Sequence, residues 1–134
     1  MTSPATAAEP ANGFSKRERI CGKKDIDTLV STGHWGSMGH IKYCWHSNGV
    51  GVNRILVSVP KKFFKRAVKR NLLKRRIREA YRTQKFLLPP ATSLGGTDVL
   101  LQYNSNELFP YTVIRAEVAA VLAAVAAKTF DGGR

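Results

Sequence analysis

The residues of this sequence that are best suited to chemistry are cations, and they are concentrated between Lys61 and Lys85. The 134-residue chain has 22 Lys and Arg against 9 Asp and Glu, which gives a formal net charge of +13. Twelve of these cations lie in the one stretch, with Glu79 as its only acid: Lys61, Lys62, Lys65, Arg66, Lys69, Arg70, Lys74, Arg75, Arg76, Arg78, Arg82 and Lys85. Such self-repulsion is relieved by a polyanion, so the composition predicts nucleic acid or an anionic surface as partner.

Residues 66–85 separate into two neighbouring arcs when they are placed on a helix at about 100° per residue. One arc is apolar and should pack on a sheet: Leu73, Ile77, Ala80 and Tyr81. The other, named the cationic face below, consists of Asn71, Lys74, Arg75, Arg78, Arg82 and Lys85. Like charges one helical turn apart repel, and Arg side chains can grip phosphate through paired N–H groups. We therefore interpret this face as a nucleic-acid-binding surface and not as a merely solvated one.

Other catalytic or metal-binding arrangements are not apparent in the sequence. The carboxylates are dispersed along the chain and most lie near Lys or Arg: Asp25, Asp27, Glu79, Asp98 and Glu107. A protein-borne nuclease would need them clustered around a metal ion, so no catalytic residue is predicted. The spacing of His34, His40 and His46 matches no zinc motif, so no metal site is predicted, and Cys21 and Cys44 are expected to be free thiols.

Secondary structure can be assigned around the basic stretch from hydrophobic periodicity. A short helix is expected over residues 23–31 and ends before Gly33. Alternation predicts strands at residues 41–46 and 54–59, which we expect to pair as an antiparallel hairpin, and at residues 99–103. A further short strand could occupy residues 33–40. A last helix is expected over residues 110–128, too short an apolar run to span a membrane.

The run Arg70-Asn71-Leu72-Leu73-Lys74-Arg75-Arg76-Ile77-Arg78 resembles the signature of the bacterial ribonuclease P protein family, in which the pattern Arg-Asn-x-x-Lys-Arg-x-x-Arg recurs. The segment from Val57 to Lys62 is similar to the same family. The resemblance covers residues 14–128 as one domain, with residues 1–13 and 129–134 as disordered tails. It implies an α+β fold: a two-layer α/β sandwich like that of some ribosomal proteins, with a four-stranded, mostly antiparallel sheet, three helices and a left-handed crossover.

The resemblance also implies a function. The chain would be a cytoplasmic RNA-binding subunit of ribonuclease P, assisting a catalytic RNA that removes the 5′ leader from precursor tRNA. The chemistry, and the Mg²⁺ it needs, would belong to the RNA subunit. The partners would be ribonuclease P RNA and precursor tRNA, with no membrane and no small-molecule substrate. The residues expected to bind RNA are Lys61, Lys62, Arg66, Arg70, Asn71, Lys74, Arg75, Arg78 and Arg82.

The resemblance also implies that the protein holds the leader in a cleft between the first helix and one face of the sheet. The residues expected to line that cleft are Ile26, Val30, Tyr43, Trp45 and Ser58. Family members commonly carry two aromatic residues on the first helix, where this chain has Ile26 and Val30, so base stacking should come from the sheet or be absent. Tyr43 and Trp45 could instead be ordinary core residues. Leu72 also departs from the family, because Arg is frequent at that position.

Two other functions fit a basic α/β domain. A ribosomal or other structural RNA-binding protein would share the charge and the architecture but would not assist precursor-tRNA cleavage. A DNA-binding protein would place the basic helix in the major groove, yet the sequence has no second helix a short turn before it, as a helix-turn-helix requires. The first alternative stays open at the level of sequence.

Overall fold

The structure is a computed structural model, which describes residues 18–20, 22–49, 51–88 and 95–132, with the side chains of residues 129–132 left aside. The expected tail over residues 1–13 and the thiol of Cys21 lie outside these ranges. Within them the chain forms three α-helices and four strands. These are α1 (Lys23–Thr32), β1 (His34–Met38), β2 (Ile41–Asn48), β3 (Arg54–Ser58), α2 (Ala67–Gln84), β4 (Gly96–Tyr103) and α3 (Tyr111–Gly132).

The four strands form one mixed sheet in the order β1-β2-β4-β3. β1 pairs with β2 and β2 with β4 in antiparallel fashion, whereas β3 lies parallel to β4. The α+β class and the mostly antiparallel four-stranded sheet are thus confirmed. A chain that leaves β3, forms α2 and returns as a parallel neighbouring strand makes a crossover connection; its left-handedness stays a prediction.

The predicted hairpin between β2 and β3 is wrong. β2 instead forms its hairpin with β1, through the turn at Gly39 and His40. Gly39 has φ of +60°, a left-handed conformation that glycine adopts without strain. Residues 41–48 and 54–58 each have the right alternation for pairing, but periodicity does not specify the partner. Here the later strand β4 inserts between them and bonds to both.

The main core lies between one face of the sheet and the helices α2 and α3. The predicted apolar arc of α2 is confirmed, since Leu73, Ile77, Ala80 and Tyr81 are all buried. α3 contributes Ile114, Val118, Val121, Leu122 and Val125 to the same cluster. α3 continues to Gly132, beyond the expected end at Lys128. No helix of the described chain is both long and apolar enough to cross a bilayer.

α1 covers part of the opposite sheet face with a smaller cluster. Leu29 is fully buried there against Cys44 and Leu100, and Ile26 packs at its margin. Arg54, on β3, holds the end of α1 by donating from NH1 to Asp25 (3.2 Å) while its Nε and NH2 donate to the buried Asp98 at 2.8 and 2.7 Å. The position of α1 is therefore fixed by apolar contact and by this charged bridge.

Candidate nucleic-acid interface

The cationic face of α2 lies beside the helix surface that packs on the sheet and is turned away from the core. Asn71, Arg75 and Arg78 are exposed, and Lys74 and Arg82 are partly exposed. Before the helix, Lys61 and Lys62 are exposed in a turn, and Arg66 is exposed at the N-cap position. α2 also begins without an acidic residue in its first turn. The partial positive charge of the helix N-terminus therefore adds to the field of these side chains.

Two cations of the cationic face, Arg82 and Lys85, already have partners within the protein. Arg82 donates to both carboxylate oxygens of Glu79, at 3.0 and 2.6 Å, and this hydrogen bonding lowers the pKa of Glu79. Lys85 donates to Glu18 at 2.8 Å, so Glu79 is not the only acid that neutralises this helix. These pairs leave the middle of the face, Lys74, Arg75 and Arg78, with no carboxylate within ion-pair distance among the described residues.

Arg70 has a structural task in addition to any contact with RNA. Its NH1 group donates to the carbonyl oxygens of Phe64 and Lys65, both at 2.8 Å. These bonds attach the segment that carries Lys61, Lys62 and Arg66 to the first turn of α2. Arg70 thus keeps the cations before the helix close to those on it. A guanidinium group has five N–H donors, so the N–H groups of Arg70 outside these two bonds could also donate to RNA.

The sheet face that α1 partly covers has an open polar row across all four strands. Register pairs Ser37 with Lys42, Lys42 with Gln102, and Gln102 with Ser58. The four side chains, named the polar row below, therefore lie on one face, and none of them is buried. The next row, which α1 covers, is apolar and includes Cys44, Leu100 and Leu56. The boundary between the rows lies beside α1, where the family resemblance implies the leader cleft, and this region is called the cleft below.

The prediction that Tyr43 and Trp45 line that cleft is wrong. Both side chains are buried, with 3% and 7% of their surface exposed, in the cluster that α2 and α3 cover. Because successive strand residues point to opposite faces, Lys42 and Cys44 face the cleft and Tyr43 and Trp45 face the core. Their alternative interpretation as core residues is confirmed. Ser58 lies in the polar row, Ile26 is half-buried, and Val30 is 44% exposed on α1.

Trp35 is the aromatic residue of the cleft that the sequence did not reveal. It lies on β1 opposite Cys44, and its side chain is 42% exposed. The indole Nε1 donates to the carbonyl oxygen of Val30 at 3.3 Å, and Lys42 Nζ lies 5.0 Å from the ring centroid. A depression of about 310 Å³ lies beside it, lined also by Gly36, Ser37, Lys42 and Asn104. Recognising β1 and its hairpin in the glycine-rich segment would have placed Trp35 on this face.

Buried ionisable groups nearby do not offer reactive chemistry. Burial raises the pKa of Cys44 to about 11, and its Sγ donates to the carbonyl oxygen of Leu29 at 3.3 Å. Burial likewise raises the pKa of Tyr81 in the core. Among the described residues, no three His, Cys, Asp or Glu side chains gather as ligands for a metal ion. The exposed cations and the Trp35 ring have the charge and the aromatic surface that contacts with phosphates and bases require.

Comparison with known proteins agrees with this geometry. A sequence model of the family described as Ribonuclease P matches residues 14–125. The ribonuclease P protein component of Porphyromonas gingivalis is 41% identical over 91 residues, which cover 66% of this chain and 63% of that protein. That of Ralstonia pickettii is 42% identical over 95 residues, which cover 71% of this chain and 64% of that protein.

The matched region therefore spans a little under two thirds of the length of these relatives. The structure of the Staphylococcus aureus RNase P protein superposes with a TM-score of 0.68 at 23% identity, covering 81% of this chain and 94% of that one. That likeness concerns the fold alone. The family model spans most of the chain and includes the whole of the cationic face. The chain belongs to the ribonuclease P protein family.

Proposed function

We propose that this chain is the RNA-binding protein subunit of a ribonuclease P that acts in the cytoplasm. It would assist a catalytic RNA in removing the 5′ leader from precursor tRNA. The observation that carries the proposal is the family match together with the exposed, largely unneutralised cationic face that bears the signature residues. A structural RNA-binding protein would share the charge, but the family match favours the ribonuclease P subunit.

The cationic face would bind the RNA subunit. Lys74, Arg75 and Arg78 have the exposure and charge for phosphate contacts, and Lys61, Lys62 and Arg66 extend the surface beyond the helix N-terminus. Asn71, exposed on the same face, can bond a ribose or a base edge. Each phosphate contact releases condensed counterions, so affinity should fall steeply as salt increases.

The cleft beside α1 would hold the single-stranded leader. Ile26 and Val30 offer apolar surface on one wall, and the polar row, which includes Ser58, offers hydrogen-bonding groups on the floor. Trp35 would provide the stacking surface that the first helix lacks, since its ring is exposed and its Nε1 is anchored to α1. Lys42, next to the ring, could pair with the leader phosphate.

The catalytic metal would be bound by the RNA subunit. The described part of the chain has no cluster of three or more carboxylate, His or Cys ligands, so this part is poorly suited to hold Mg²⁺. Bound to the RNA, Mg²⁺ would supply the activation of water for phosphodiester hydrolysis. The protein would contribute binding, orientation and charge neutralisation between two polyanions.

The test is reconstitution with a bacterial ribonuclease P RNA. Cleavage of a precursor tRNA at the leader junction is measured at low Mg²⁺, with and without the full-length protein. The protein should raise kcat/KM, because its cations replace part of the charge screening that Mg²⁺ otherwise provides. A ribosomal protein of similar net charge serves as control and should not substitute. Equal rates with this protein and with the control would refute the proposal.

A further inference from the structure

A depression on the side of α2 borders the cationic face, shares Arg75 with it, and lies away from the proposed leader cleft. It has a volume of about 290 Å³ and lies between α2 and the first residue of α3. Its lining residues are Leu72, Arg75, Arg76, Glu79 and Tyr111. Leu72 and Tyr111 are half-buried and provide an apolar surface, while Arg75 is exposed at the rim.

The polar walls of this depression are held in place by contacts within the protein. Arg76 NH1 donates to the carbonyl oxygen of Phe109 at 2.6 Å, which fixes its guanidinium next to the start of α3. Glu79 is held by both hydrogen bonds from Arg82. Each carboxylate oxygen of Glu79 keeps a further lone pair for an incoming N–H donor. The site therefore combines a preformed apolar floor with two fixed polar walls.

We infer that this depression binds an unpaired nucleobase of the RNA that lies on the cationic face, an inference that rests on the proposed function. Tyr and Arg side chains are the groups on which splayed-out bases stack in RNA recognition. The volume of about 290 Å³ is just below the range of about 300–1,000 Å³ that is typical of pockets for drug-sized ligands, which suits a group as small as one base. Arg75 belongs to both the cationic face and the depression, so an RNA strand on that face passes the opening.

Leu72 makes this site possible. A long cation at this position would project into the space that the depression occupies, because Leu72 lines it. The Leu72 side chain leaves that space open and offers an apolar contact to a base. Binding at this site should depend on shape and stacking and only weakly on salt, unlike binding by the neighbouring cations.

The experiment measures affinity for a bacterial ribonuclease P RNA over a range of salt concentrations with full-length variants. Tyr111→Ala should lower affinity by about 5- to 150-fold, which corresponds to about 1–3 kcal/mol of stacking, without changing the salt slope. Tyr111→Phe should keep the affinity, since stacking does not need the hydroxyl. Thr112→Ala, one residue further on α3 and exposed, is the positional control. Arg78→Ala, on the cationic face but outside the depression, should reduce the slope.

Tyr111 also packs on the core, so Tyr111→Ala could lower affinity by disturbing the fold. A second measurement therefore reports on the base itself. Dimethyl sulfate and kethoxal probing of the bound RNA should show one unpaired base that the wild-type protein shields. Leu72→Gln, which leaves the core untouched, should expose that base again. If Leu72→Gln and Tyr111→Ala leave both affinity and shielding unchanged while Arg78→Ala flattens the slope, the pocket is refuted and the proposed function stands. If the wild-type protein does not bind the RNA, the proposed function fails first.

Discussion

At the scale of single residues, Trp35 and Cys44 face the same side of the sheet and have opposite properties. They are paired across β1 and β2, yet Trp35 is 42% exposed and Cys44 is fully buried under α1. Leu29 of α1 packs on Cys44 and buries it. Trp35 instead contacts α1 through the hydrogen bond that its Nε1 donates to the carbonyl oxygen of Val30, and its ring stays partly exposed. Trp35 is thus suited to ligand contact, and Cys44 is suited to packing.

Trp35→Ala should weaken the binding of leader-bearing precursor tRNA to the holoenzyme by about 5- to 150-fold, the range expected for one stacked base. Mature tRNA, which lacks the leader, should bind as before, and Trp35→Phe should retain most of the affinity. Competition binding with both RNAs measures the difference. Phe86→Ala, an equally simple truncation of a 73% exposed aromatic elsewhere, is the control. An equal loss for precursor and mature tRNA would place Trp35 outside the leader site.

The thiol of Cys44 should be unreactive at neutral pH in the folded protein. Its pKa of about 11 keeps it protonated, and burial denies access to reagents. In a Cys21→Ser background, iodoacetamide labelling at pH 7.5 should be slow when folded and fast in denaturant. Since the folded pKa lies above the usual value of 9.0, labelling of the native state should begin to rise only near pH 11. Rapid native labelling at pH 7.5 would contradict the packing of α1.

At the scale of elements, α2 has one buried apolar side and one exposed cationic side. Leu73, Ile77 and Ala80 are completely buried, and the residues one or two positions away carry the charge. Each side can therefore be altered without the other. Arg70 connects the helix to the basic segment before it.

Combined Arg75→Ala and Arg78→Ala substitution should weaken binding of the ribonuclease P RNA and lower the slope of log K against log salt by roughly 1.4–1.8, at about 0.7–0.9 for each phosphate contact. Lys23→Ala with Lys24→Ala removes the same charge from the exposed side of α1 and is the matched control. Filter binding at several salt concentrations gives both slopes. An identical slope for the two double variants would mean that net charge, and not this face, binds the RNA.

Ile77→Ala should lower the free energy of unfolding by about 2–5 kcal/mol, because Ile77 is fully buried and its truncation leaves a cavity between helix and sheet. Leu72 on the same helix is half-exposed, so Leu72→Ala should lower the free energy of unfolding much less. Urea denaturation followed by circular dichroism measures both. Below the unfolding transition, the RNA affinity of Ile77→Ala should equal that of the wild type; a large loss of affinity would show that the two sides of α2 are coupled.

At the scale of the whole molecule, the two surfaces proposed to bind RNA lie on one small core. The cationic face lies on α2, which covers one side of the sheet, and the cleft with the polar row lies on the other side, beside α1. In the proposed function, this arrangement allows contact with a large RNA on one side and a single strand on the other at the same time. The sheet between the two surfaces fixes their relative position.

Rigorously RNA-free protein should not cleave precursor tRNA at any Mg²⁺ concentration, because the described residues offer no ligand cluster for a catalytic metal. Product formation is followed on a labelled precursor, before and after addition of the RNA subunit. Nuclease treatment of the protein followed by nuclease removal controls for carried-over RNA. Cleavage by the treated protein would refute the proposal that the RNA subunit alone carries the chemistry.

The sequence by itself determined the local elements, the two sides of α2 and the family. Helical periodicity is short-range, so Leu73 and Ile77 could be assigned to the core and Arg75 and Arg78 to the surface from spacing alone. The signature residues follow one another along a single helix, and no tertiary contact is needed to recognise them.

Only the tertiary structure decided which strands pair and which sheet face is open. Tyr43 and Trp45 alternate as in any half-buried strand, and only the docking of α2 and α3 turns them into the core and leaves Trp35 in the cleft. Strand pairing depends on contacts between residues far apart in the chain, here β4 inserting between β2 and β3, and a local pattern does not encode them.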